Sequence, residues 1–345
     1  MVKPRQTSID YMKGVLVIGM VLAHALQLLS KPTGLFWLFS TTINLITFSG
    51  FFFCFGYVFF LSYLTKPFAD VKMKMAKTAI KSLFAYYLSG FSAYLLLSPR
   101  FLGKPYPITL DEILQLITFS KVAWFSEFLL TFFLITGLVL VFFEGFKRLA
   151  HSPLTMLCLG LVCLLTASLL PADLIVPQPM ALLIGTKNYF IFPVVQYLPI
   201  FLAGIYFSNY KVGWSRAVLV ISLSATGSLV SYYVVHQAMP AEFLPSVYWL
   251  VGSYGILYGY YVAAKWLEQR PNPLNWLLSI GRNTLFYLLV SNFILFALSN
   301  HIQTKSEMAF VIGVITLLII TFLFSLLTQS PKTRSETQVR RVPIS

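Results

Sequence analysis

Long apolar runs broken by short polar segments set the rhythm of this chain, at about residues 9–30, 35–65, 79–98, 121–145, 153–170, 190–208, 214–235, 246–264, 276–299 and 308–329. Crossing about 30 Å of hydrocarbon takes roughly 17–25 residues of helix, and the runs are of that order. Lipid offers the backbone no hydrogen-bond partners, so a spanning segment must be a helix or part of a closed barrel. The period-two alternation of a barrel strand is missing. The pattern predicts an all-α, polytopic integral membrane protein with about ten transmembrane helices.

Composition and charge sharpen that picture. Of 345 residues, 58% are hydrophobic and only 10% charged. Soluble domains carry about 25% charged residues, so an ordinary soluble enzyme is excluded. The net charge of +14 raises the question of nucleic acid. The basic residues, however, sit in the short segments between spans, a positive-inside bias that needs no nucleic-acid partner. With the N-terminus inside, eighteen Lys and Arg fall in inner segments and six in outer ones, and Lys13 in the first span completes the 25. Both termini are therefore expected to be cytoplasmic, in a multi-pass protein of the cell (inner or plasma) membrane whose partner along its length is the lipid bilayer. Residues 1–330 read as one transmembrane domain, and 331–345 as a flexible, basic tail near the anionic leaflet.

The remaining segments add little chemistry. Loops 99–120 and 171–189, with Pro105, Tyr106, Pro107, Pro171, Pro177 and Pro179, read as short ordered lids. Cys54, Cys158 and Cys163 lie in apolar runs and read as buried free thiols, and no Cys/His spacing suits a metal. Lys3, Arg5 and Ala23-His24-Ala25 also fit a cleaved signal peptide. Leu26, Leu28 and Leu29 carry the run on to spanning length, and losing it would invert the charge tally. The first transmembrane helix is the better reading. No later segment echoes Asp10, Lys13 and His24, which counts against an inverted-repeat transporter.

Ionisable groups within a span cost about 2.5–3.5 kcal/mol each on insertion scales, so they suggest function. The first run has three: Asp10, Lys13 and His24. At 100° per residue the three share one face, with Lys13 and His24 about 16 Å apart along the axis. Gly14 and Gly19 thin that helix for a neighbour or ligand. Asp10 and Lys13 are either an i,i+3 pair at the membrane boundary or part of a site. His24 is either a neutral ring bonded to a neighbouring helix or a general base, for which its ordinary pKa near 6.5 suits it. Glu127 is a further charge at the outer end of its span, where solvation at the interface is an equal alternative. Ser49, Asn44, Gln196 and Asn292 read as interhelical glue, Gly255 and Gly259 as a packing face, and His151, His236 and His301 as solvated. No P-loop, dinucleotide fingerprint, zinc-protease motif or nucleophile elbow occurs.

Ile9-Asp10-Tyr11-Met12-Lys13-Gly14 followed by His24 resembles the opening helix of the membrane acyltransferase-3 family, bacterial integral-membrane O-acyltransferases acting on cell-surface glycans. The likeness continues in order along the chain. Phe51-Phe52-Phe53-Cys54-Phe55-Gly56-Tyr57 is similar to the family's second-helix aromatic run, with Phe55 where Ser is usual. Lys77 and Lys81 before Tyr86-Tyr87 resemble its basic segment, although Lys stands in place of Arg. Trp124-Phe125, Pro199-Ile200-Phe201-Leu202-Ala203-Gly204 and Gly281-Arg282-Asn283-Thr284-Leu285 match further stretches. One departure stands out: many relatives have a late His where this chain has Ser291-Asn292.

The resemblance implies an acyltransferase that carries an acyl group, acetyl above all, from acyl-CoA to a hydroxyl of a cell-surface polysaccharide, glycolipid or related acceptor. It implies His24 as general base, with Asp10 and Lys13 orienting the donor or holding the helix entrance. Lys77, Lys81 and Arg282 are then expected to meet the CoA phosphates, unless they only set topology. Acetyl-CoA would be a donor substrate, with no cofactor tightly bound and no metal. The competing reading is a transporter or flippase for a saccharide or lipid-linked substrate, with His24 in a proton relay.

Overall fold

The apolar runs fold as helices, as the need to satisfy every backbone group in lipid requires. The computed structural model describes residues 6–97, 109–123, 125–169, 177–186, 189–270 and 274–328. Among them the only strand-like pairing is an isolated bridge between Thr186 and Phe190. α1 covers Thr7–Leu29, and α2 covers Gly34–Phe59 with a π-helical turn, Phe60–Leu64, at its end. There follow α3 (Phe68–Leu96), α4 (Leu110–Ile117), α5 (Glu127–Val141), α6 (Phe143–Ala150), α7 (Pro153–Leu169), α8 (Gln178–Ile184) and α9 (Val194–Asn209). The last third holds α10 (Arg216–His236), α11 (Val247–Gly252), α12 (Tyr254–Glu268), α13 (Asn275–Arg282), α14 (Thr284–Ser299) and α15 (Ser306–Thr328).

Two of the expected spans are not straight. α5 and α6 meet at 92°, and α13 and α14 at 80°. At the second break Asn283 Nδ2 donates to the Ser279 carbonyl at 2.8 Å, a local bond that competes with helix continuation. α6 buries Phe143, Phe146 and Ala150 and turns Glu144, Lys147 and Arg148 outward, the division a helix lying along an interface needs. Among the described residues, four helices are long and apolar enough to cross a membrane, or up to six if each bent pair is one span. The tally falls below ten because of these breaks, because α7 and α9 are shorter, because the 246–264 run is divided at Ser253 into α11 and α12, and because α3 is not apolar enough.

The packing sorts the chain into two ends. At the lower end, where α1 starts, Tyr57 donates to Gln6 Oε1 at 2.6 Å and Glu268 Oε1 accepts from the Ser8 amide at 3.1 Å. The hydroxyl of Tyr261 holds the Val212 carbonyl at 2.6 Å, and Lys147 Nζ reaches the Lys66 carbonyl at 3.5 Å. At the upper end the Thr304 amide donates to the Leu29 carbonyl at 2.8 Å, and Thr131 bonds the Phe192 carbonyl. Lys66, Lys147, Lys265 and Arg282, expected on one side of a membrane, thus sit together at the lower end.

α1 is the buried axis of the bundle, packed by α2, α12, α13, α14 and α15. α10 and α15 instead turn Val220, Ile221, Val234, Leu318, Phe322 and Leu326 outward. Such faces are costly in water and at ease against acyl chains. Two sequence expectations need correction. Cys158 is exposed on α7, while Cys54 and Cys163 are buried as expected. Gly255 packs on Thr226, but Gly259 faces open space, so the pair is not a continuous packing face.

Candidate active site

α1 and the α13–α14 pair build the site, and they approach so closely because both are cut down to backbone where they touch. A Cβ on Gly281 would lie 1.8 Å from the Asp10 carbonyl oxygen, and one on Gly14 would lie 2.5 Å from the Leu277 carbonyl oxygen. Asp10, with its side chain only 4% exposed, takes two cations at this crossing. Lys13 Nζ stands 2.8 Å from Oδ1, and Arg282 Nε stands 3.6 Å from Oδ2. The i,i+3 pair foreseen from the sequence therefore exists, and it also ties α1 to α13. Arg282, 43% exposed, is turned toward Asp10.

Higher on the same helix, His24 is buried and its Nδ1 lies 2.9 Å from Oδ1 of the fully buried Asn292 on α14. In the tautomer that donates from Nδ1 to this amide oxygen, the lone pair is left on Nε2. Nε2 makes no hydrogen bond to the described residues. The amide Nδ2 of Asn292 has no partner among the described residues either, an uncommon state for a buried donor and one that asks for a reason. The His24 ring meets the edge of Phe125, centroids 5.4 Å apart, and Phe125 in turn packs on Phe296 at 5.6 Å. Phe125 has φ of +60°, a left-handed conformation that bulky residues rarely adopt. Strain of this kind persists where the surroundings hold it, commonly at functional sites.

The other sequence candidates lie apart from this pair. Lys77 and Lys81 are exposed, one turn apart on α3, and neither makes an ion pair or hydrogen bond with a described residue. Glu127, the first residue of α5, accepts from the Ser126 amide at 3.1 Å. His151, His236 and His301 are exposed, as expected. Trp124, residues 99–108 with Pro105, Tyr106 and Pro107, residues 171–176 with Pro171, and the 331–345 tail lie outside the described residues. Sequence reasoning missed two features. Asn292 appeared as interhelical glue and as the replacement for a late His, with nothing to pair it with a residue 268 positions away. Glu242, in the loop between α10 and α11, was not singled out. Burial pushes its carboxyl up to about 7, although the Asn44 side chain bonds it.

A family model described as an acyltransferase domain matches residues 6–329, nearly the whole chain. No curated protein matches it.

Proposed function

The chain belongs to the membrane acyltransferase-3 family, and on that premise we propose that it transfers an acetyl group from acetyl-CoA to a hydroxyl of a cell-surface polysaccharide or glycolipid. The family and the apolar helices make it a multi-pass membrane protein with an acyltransferase domain. In the proposed arrangement it sits in the cell membrane with the lower end facing the cytoplasm. Lys77 and Lys81 draw in the CoA phosphates as point charges, and Lys13 and Arg282, held by Asp10, line the way to His24.

One observation carries the reading: His24 is buried with Nδ1 against Asn292 Oδ1, a contact that supports Nε2 as the proton acceptor. In the step proposed, Nε2 takes the acceptor's hydroxyl proton as that oxygen attacks the thioester carbonyl. The tetrahedral intermediate collapses by breaking the C–S bond, and the CoA sulfur leaves with the proton that His24 returns. No covalent enzyme intermediate is needed. Asn292 works through His24, by fixing its tautomer and ring orientation.

The 80° break between α13 and α14 is the feature a transporter reading would use, since transporters place substrates at discontinuous helices. Purified protein in liposomes, given acetyl-CoA labelled in the acetyl group and an oligosaccharide acceptor, separates the two. Label on the oligosaccharide is the expected result. Oligosaccharide that crosses the bilayer unlabelled would replace the acyltransferase reading with the transporter.

A further inference from the structure

A wide, open cavity of about 850 Å³, nearer a surface depression than an enclosed chamber, lies at the upper end of the bundle, and Ser30, Lys31, Thr33, Gln303, Lys305 and Glu307 line it. Its walls are the segments that follow the two helices holding the His24–Asn292 pair, with the first turn of α15. Ser30 follows His24 by six residues, about 9 Å along the α1 axis. The loop that leaves α14 forms the other wall and is tied to α1: Thr304 donates to the Leu29 carbonyl at 2.8 Å and Gln303 Nε2 to the Leu28 carbonyl at 3.2 Å. The wall is fixed rather than loose.

Every lining residue is polar, with hydroxyl, amide or charged tips and no aromatic or aliphatic side chain among them. A hydroxyl-rich ligand finds donors and acceptors among these side chains. Lys31 and Lys305 flank the opening, both exposed, and neither makes an ion pair with a described residue. Against them stands a single carboxylate, Glu307, so the cavity is net positive.

We propose that this cavity seats the acceptor, and that the acceptor is a saccharide bearing a carboxylate or phosphate, with Lys31 and Lys305 as its specificity-determining residues. The proposal rests on the acyl-transfer reading above and names the substrate class for it. Lys31 and Lys305 are surface charges, and their effect is read in acceptor affinity.

The test measures binding separately from transfer. Three tetrasaccharide probes, one with a carboxylate, one with a phosphate and one neutral, are titrated into the wild type and a Lys31→Gln/Lys305→Gln variant of unchanged thermal stability. The wild type should bind an acidic probe about tenfold more tightly than the neutral one, with the gap closing as salt rises. The tighter of the two acidic probes identifies the anionic group. The double variant should bind all three alike. Equal binding of all probes by the wild type, or a preference that survives in the double variant, would overturn the proposal. Acetyl transfer to the same probes is scored independently: charge-dependent binding without transfer leaves the cavity standing and removes the activity, and transfer without it does the reverse.

Discussion

Glu242 sits in the upper-end loop between α10 and α11, where Oε1 is buried without a partner and Asn44 bonds the carboxylate. Burial wins over that bond and raises the pKa from 4.5 to about 7. Between those values the folded protein binds the proton more tightly than the unfolded chain, so stability falls as pH rises. The contribution is fully present below the unfolded value and is lost as pH passes through about 7. Glu242→Gln, which cannot ionise, should flatten the thermal-stability profile between about pH 5 and pH 8. A profile as steep as that of the wild type would place the pH dependence on other groups. Single residues were legible in the sequence only where partners are near neighbours. Asp10, Lys13 and His24 declare a shared face through helical period alone, and Asp10–Lys13 is indeed paired. Glu242 with Asn44, and Asn292 with His24, are brought together by packing, which no local spacing encodes.

Gly281 is where helix geometry and the site meet. A methyl group there would strike the Asp10 carbonyl, which is backbone and cannot swing aside. Gly281→Ala must therefore push α13 off α1, which parts Arg282 from Asp10 and drags α14, with Asn292, away from His24. The expected cost is about 1–3 kcal/mol of stability, as for other overpacked contacts, with a larger fall in acyl transfer. Gly145→Ala in α6, with open space around it, is the control and should change neither. Thermal unfolding and transfer rates for the two variants decide the matter, and a Gly281→Ala protein as stable and active as wild type would contradict it. Helices themselves were legible, since each long apolar run is helical in the described residues. Their breaks were not. An apolar run reads the same whether straight or bent, and the turns at Phe142 and Asn283 follow from local bonds and from the surface each half finds.

Among the described residues, Lys66, Lys147, Lys265 and Arg282 gather at the lower end of the bundle. That sorting was readable early because a bilayer acts on the charge of entire loops, not on individual contacts. The upper cavity was not, because its walls come from the two ends of the chain, around Ser30 and around Lys305. The family match covers residues 6–329, and the proposed chemistry sits on α1. His24→Gln tests that placement most directly. The glutamine amide can still donate to Asn292 Oδ1, so the variant should unfold at the wild-type temperature. An amide takes up no proton near neutral pH, so transfer of label from acetyl-CoA to the oligosaccharide should fall about 10²–10⁴-fold. A folded His24→Gln protein that transfers label at the wild-type rate would contradict the account.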